Sequence, residues 1–210
     1  MNRADTSSKL WYLAPVGALA LLLTILLIAL PLGQGYGSVL QWLIRGAALL
    51  GYQLVFLSIV SSAYLRQMLR WFGHPFIRVH HIVSVTGLVL VALHFASVAW
   101  DSRSLSVFVP SIASWASFFT TGGRVAWILL ALGLLAALLR KRIGQRWRVI
   151  HYLNYAAFLL ASAHALLIGT NTQHLVVRIV VAAMCMAVAA VFVQKRLQAR
   201  KRQIAKPERP

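Results

Sequence analysis

The sequence predicts an all-α integral membrane protein, a bundle of six transmembrane helices, and three observations carry that expectation. Apolar residues make up 60% of the 210-residue chain and charged residues 11%, far from the balance of a soluble domain. Apolar runs near the bilayer-crossing length of about 20 residues recur along the whole chain, which leaves no room for a second globular domain. Finally, 21 Lys and Arg stand against three acids, Asp5, Asp101 and Glu208, and the basic residues fall between the apolar runs. In a soluble protein a net charge of +18 would point to nucleic acid. Here membrane topology accounts for it, so lipid is the expected partner and nucleic acid is not.

Six helices are predicted, over residues 10–30, 39–65, 79–100, 125–139, 149–168 and 175–193. Only helices or closed barrels satisfy backbone groups in lipid, and runs this long are helices. The first run follows a basic start, as a signal peptide would, but its length and the lack of an Ala-x-Ala exit favour a retained helix. Gly33, Gly35 and Gly37 behind it read as a turn, because no strand precedes them to make a dinucleotide fingerprint. Residues 104–120 tempt one into a seventh span. Five serines and Pro110 argue against burial in lipid, and a span there would carry Arg140 to Arg148 outside. That segment is expected to be interfacial or re-entrant.

Orientation follows from the short basic loops, which stay in the cytoplasm. Residues 1–9, the loop with Arg66, Arg70 and Arg78, the loop from Arg140 to Arg148 and the basic tail 195–210 all fall on one side. The opposite connections hold only Arg103. Both termini are therefore expected in the cytoplasm, with the membrane domain over 10–194. The single Cys185 excludes an internal disulfide and any thiolate cluster, and leaves the redox compartment unread.

Seven histidines are unexpected in so apolar a chain, because ionisable groups inside a membrane are costly and usually face a functional interior. His80 and His94 stand 14 residues apart on the third helix; His151 and His164 stand 13 apart on the fifth. His94 and His164 each lie 16 residues beyond the last cytoplasmic arginine of their helix, Arg78 and Arg148. The imidazoles thus form two layers, roughly 20 Å apart at about 1.5 Å per residue. A neutral imidazole on each side of a haem iron fills both axial positions and makes an electron carrier, so one or two haems are expected between helices three and five. Fourteen residues return His94 to within about 40° of His80, whereas thirteen leave His164 about 140° short of His151 on an ideal helix. The fifth helix must therefore bend, unwind locally or approach the haems differently. His81 competes with His80, and the face argument favours His80.

These residues, with the stretch from Arg146 through His151 to Tyr155 and the six-helix plan, resemble the ferric reductase-like transmembrane domain. Ferric reductases, NADPH oxidases and the haem-binding subunit of periplasmic methionine sulfoxide reductase systems share that domain. The resemblance covers roughly residues 39–194. It implies that His80 and His151 hold a cytoplasm-side haem b and that His94 and His164 hold an outer one, His81 being the alternative to His80. It also implies a bacterial inner-membrane location. Residue 210 ends the chain without space for a flavin and nicotinamide module, so the donor is expected to be separate, a flavin reductase or a quinol.

Arg45, Arg103, Arg124 and Arg178 cluster near the outer face, against the positive-inside trend. Arg45, Arg124 and Arg178 are candidates for pairing with outer haem propionates, and snorkelling to lipid phosphates is the alternative. His74 and His174 are expected to be solvated. Trp100, Trp115 and Trp127 near one boundary, and Trp71 and Trp147 near the other, read as an aromatic belt. Asn154, Gln53, Met184 and Cys185 read as helix-contact residues. The expected function is transmembrane electron transfer through b-type haem to an outer acceptor, ferric iron or a periplasmic reductase. The alternative is a non-catalytic accessory subunit of a larger membrane complex. A transporter lacks support, since no acid lies mid-membrane.

Overall fold

The computed structural model describes residues 38–72 and 76–204, and the described residues are helical with no strand. The expected first helix over 10–30, the glycine turn through Gly37, His74 and the end of the tail lie outside the described residues. Among the described residues nine α-helices follow in order: α1 Val39–Ala63, α2 Leu65–Phe72, α3 Ile77–Ser102, α4 Trp115–Thr120, α5 Gly122–Leu138, α6 Arg140–Ile143, α7 Trp147–His151, α8 Leu153–Ile168 and α9 Leu175–Ile204. Four stretches are long and apolar enough to cross a membrane: Val39–Ala63, Ile77–Ser102, Arg140–Ile168 and Leu175–Lys201. Helix α5 is apolar but only 17 residues long, a rise of about 25 Å against a hydrocarbon core of about 30 Å.

Local chemistry explains the boundaries. Ser38 caps α1 by accepting from the Gln41 amide, which satisfies one of the free N–H groups of the first turn. Helix α1 stops at Ala63, where the sequence predicts a run to 65, and the basic α2 turns off beyond Tyr64. At its far end α9 continues to Ile204, well past the expected stop at 193. The Lys, Arg, Gln and Ala residues after Val193 are strong helix formers, so leaving the apolar zone does not end the helix. Residues 104–120 form no continuous span: a 3-10 turn at Leu105–Phe108 is followed by the six-residue α4, which leads into α5.

Helix α3 packs along α1, and α8 packs along α5; α9 closes the bundle against α8 and α1. Small residues set the closeness of the first pair. A Cβ at Gly87 would come within 3.0 Å of Leu54 Cβ, and one at Gly51 within 3.1 Å of the Val91 nitrogen. Helix α9 buries Val177, Val181, Met184, Val188 and Val191, alternating steps of four and three residues that put one stripe inward. The outward faces are as apolar as the core, with Ile82, Val85, Val89, Leu138 and Met186 more than half exposed. A helix apolar all round belongs in lipid or a large core.

Between the helix pairs, Tyr52 of α1 stacks on Phe158 of α8 at 4.5 Å between ring centroids. Ser162 donates to the Phe158 carbonyl at 2.7 Å, so its oxygen is free to accept the Tyr52 hydroxyl at 2.8 Å. This bond ties α1 to α8 in the middle of the bundle.

Candidate functional site

His94 of α3 and His164 of α8 line one cavity of about 250 Å³, together with Arg45 of α1 and apolar walls that include Val91, Trp127 and Leu130. His94 Nδ1–H donates to the Ile44 carbonyl at 2.9 Å, and His164 Nδ1–H donates to the Thr120 carbonyl at 2.7 Å. A carbonyl only accepts, so in both rings the proton sits on Nδ1 and the lone pair on Nε2. Thr120 ends α4, where the last carbonyls have no partner within their own helix, so its oxygen is available to a neighbour. Gly123 makes room for the ring: a Cβ there would lie 3.0 Å from His164 Cδ2 and 3.1 Å from Nε2.

His80 and His151 are half-buried and lie within electrostatic reach of each other, as His94 and His164 do. His151 Nδ1–H donates to the Gly133 carbonyl at 3.2 Å. For His80 the direction follows from a short hydroxyl chain. Ser84 spends its proton on the His80 carbonyl at 2.6 Å, so Ser58 must donate to Ser84. The Ser58 oxygen is then the acceptor for His80 Nδ1–H, 3.4 Å away. All four candidate imidazoles therefore carry their proton on Nδ1 and keep a lone pair at Nε2, the arrangement second-layer partners impose on metal-binding histidines.

The acceptors repeat the spacing of the histidines. Ile44 and Ser58 stand 14 residues apart on α1, as His94 and His80 do on α3, and a 14-residue rise is about 21 Å. Thr120 and Gly133 stand 13 apart, as do His164 and His151. Tyr52 and Phe158 lie between the two levels. The expected distortion of the fifth helix occurs at Tyr152, between α7 and α8, where the Tyr152 amide reaches both the Arg148 and Val149 carbonyls. Its 3-10 character turns the chain about 120° per residue in place of 100°, which recovers part of the deficit between His151 and His164.

Other candidates divide. His81 is exposed, with its ring tilted against that of His80 at 5.8 Å, and has no place in the paired arrangement. Arg45 lines the cavity. Arg124 does not: it donates to the Ser106 and Val109 carbonyls, both at 2.8 Å, and pins the 105–109 turn. The Ser106 carbonyl, which already accepts from the Val109 amide at 3.0 Å, takes the guanidinium on its second lone pair, and the Val109 carbonyl follows the end of the 3-10 turn. Arg178 is exposed on α9, away from the cavity. His174 is not solvated as expected, for its Nε2 is buried without a hydrogen-bond partner. Tyr52, the backbone acceptors and Gly123 carry no signal in the sequence; Asn154, read there as a helix contact, lies 3.3 Å from His151 Nδ1. Among the described residues no group of three or more His, Cys, Asp or Glu converges to hold a metal ion. No family model, curated protein or solved structure matches the chain.

Proposed function

We propose that the protein is a six-helix b-type cytochrome of the ferric reductase-like kind, with residues 10–30 as its first span. It carries electrons across a bacterial inner membrane from a cytoplasm-side flavin reductase or quinol to an outer acceptor, ferric iron or a periplasmic reductase. One observation supports the reading above all: four imidazoles in two levels each commit Nδ1–H to a protein acceptor and keep Nε2 unprotonated. Each ring thereby spends its one N–H on the protein and leaves Nε2 as the nitrogen that could bind iron. His94 and His164 would hold an outer haem b, and His80 and His151 an inner one.

The donor set fits that group: a flat hydrocarbon macrocycle suits an apolar cavity between helices, and two neutral imidazoles suit its iron. Bound there, haem supplies a one-electron carrier with both axial positions filled. The chain itself fixes the tautomers, surrounds the outer site with apolar side chains, and fills the space between the levels with the Tyr52 and Phe158 rings. Arg45 remains the candidate partner for a propionate. Basic loops hold both termini in the cytoplasm, and an inside-negative potential favours outward electron flow by about 2.3 kcal/mol per charge per 100 mV.

A reduced-minus-oxidised absorption spectrum of the purified chain, with a haem-to-protein ratio, tests the reading. Two low-spin b haems per chain are expected, and one would leave a single level filled. A folded, colourless preparation from haem-replete cells would refute it and favour a non-catalytic accessory subunit.

A further inference from the structure

The Asn154 side chain stands beside the Nδ1 edge of His151. Its Nδ2 lies 3.3 Å from His151 Nδ1, while its Oδ1 is buried with no partner. The Gly133 carbonyl, 3.2 Å from the same Nδ1, can only accept, so Nδ1 already carries a proton. An amide N–H aimed at it would set two donors face to face and leave a buried acceptor unsatisfied, both unfavourable. Turning the amide by 180° about its last bond removes the donor–donor conflict, because oxygen and nitrogen exchange places. Gly133 is what admits the group, since a Cβ there would overlap the Asn154 amide.

We propose that Asn154 is a positioning residue for His151: its amide oxygen shares the Nδ1–H with the Gly133 carbonyl and holds Nε2 ready for iron. The proposal rests on the haem reading. His151 then has two acceptors on one N–H. An acceptor on Nδ1–H raises the basicity of the ligating nitrogen and stabilises the oxidised iron. Asn154 thereby lowers the potential of the inner haem.

The test compares the full-length chain with Asn154→Leu and Asn154→Asp, reading the midpoint potential and the low-spin resonance spectrum of each haem. In Asn154→Leu the inner haem should rise in potential and shift in spectrum while the outer haem stays unchanged; in Asn154→Asp its potential should fall. An Asn154→Leu chain with both haems unaltered overturns the proposal. Should Asn154→Leu lose only the inner haem, recovery in Asn154→Asp supports the assignment and failure to recover overturns it. Should it lose both, Asn154→Asp decides alone, by a lowered or an unchanged inner potential. A wild-type chain without haem sinks the haem reading, and the nitrogen-15 shift of His151 Nδ1 then decides: a shift altered in Asn154→Leu supports the shared hydrogen bond, and an unchanged shift overturns it.

Discussion

Gly123→Ala should weaken the outer haem site without touching a histidine. The new Cβ would stand 3.0 Å from His164 Cδ2, 3.1 Å from Nε2 and 3.2 Å from Cγ, whereas carbon atoms settle at about 3.5–4.0 Å. The ring must withdraw by roughly 0.5 Å, which would stretch its 2.7 Å bond to the Thr120 carbonyl toward the limit of a useful hydrogen bond, about 3.2 Å. Overpacking of this kind costs about 1–3 kcal/mol. At about 1.4 kcal/mol per tenfold, that is an affinity loss of about 5- to 150-fold at the outer site. Titration of haem into haem-depleted protein in detergent, followed at the absorption band of the bound form, measures it.

Two features keep this effect apart from general damage. Alanine is the better helix former, which offsets part of the overpacking, so thermal stability of the haem-free chain should change little while binding falls. Gly46→Ala is the control, because nothing lies within 4 Å of a Cβ at that position. If Gly123→Ala binds the outer haem as tightly as Gly46→Ala and with the same spectrum, the proposed role of His164 is refuted.

Three further outcomes are expected. His80→Ala should remove the inner haem signal and His81→Ala should leave it, as measured by haem content and difference spectra; the reverse would exchange the two assignments. Tyr52→Phe deletes the 2.8 Å bond to Ser162 in the bundle centre and should lower stability by ~1 kcal/mol in thermal unfolding in detergent. Arg124→Ala should free the 105–109 turn, seen as faster amide hydrogen exchange there, while the outer haem content changes little, since Arg124 does not line the cavity.

The sequence makes the long apolar helices and the four histidines legible because both are patterns along one chain: length, apolar content, and intervals of 14 and 13 residues. It also marks the fifth helix as one that cannot be ideal, and the break falls at Tyr152. Partners across the bundle are less legible. The acceptors of His94, His151 and His164 are backbone carbonyls, which every residue has, so no residue type announces them. Arg124 and Arg178 share a membrane level with the outer histidines, but level does not give direction around the helix, and one guanidinium turns to a loop while the other faces outward. The basic tail misleads in the other direction. Its charges mark the end of the apolar zone, yet its residues keep the helix going to Ile204.

The unequal intervals follow from what each helix leans on. Helix α3 is unbroken and takes both of its acceptors, Ile44 and Ser58, from the unbroken α1; 14 residues on each keep histidine and acceptor on matching faces. The fifth span leans on the chain from Thr120 to Gly133, which is interrupted at Thr121 between α4 and α5. An acceptor pair 13 residues apart on an ideal helix would be turned away from itself by about 140°, like the histidine pair it serves. A break at Tyr152 in the histidine-bearing span and another at Thr121 in the acceptor-bearing span let both partners depart from ideal winding. Straightening either alone would turn one imidazole from its carbonyl, so the two interruptions act as one device that brings His151 and His164 to the same side of the bundle.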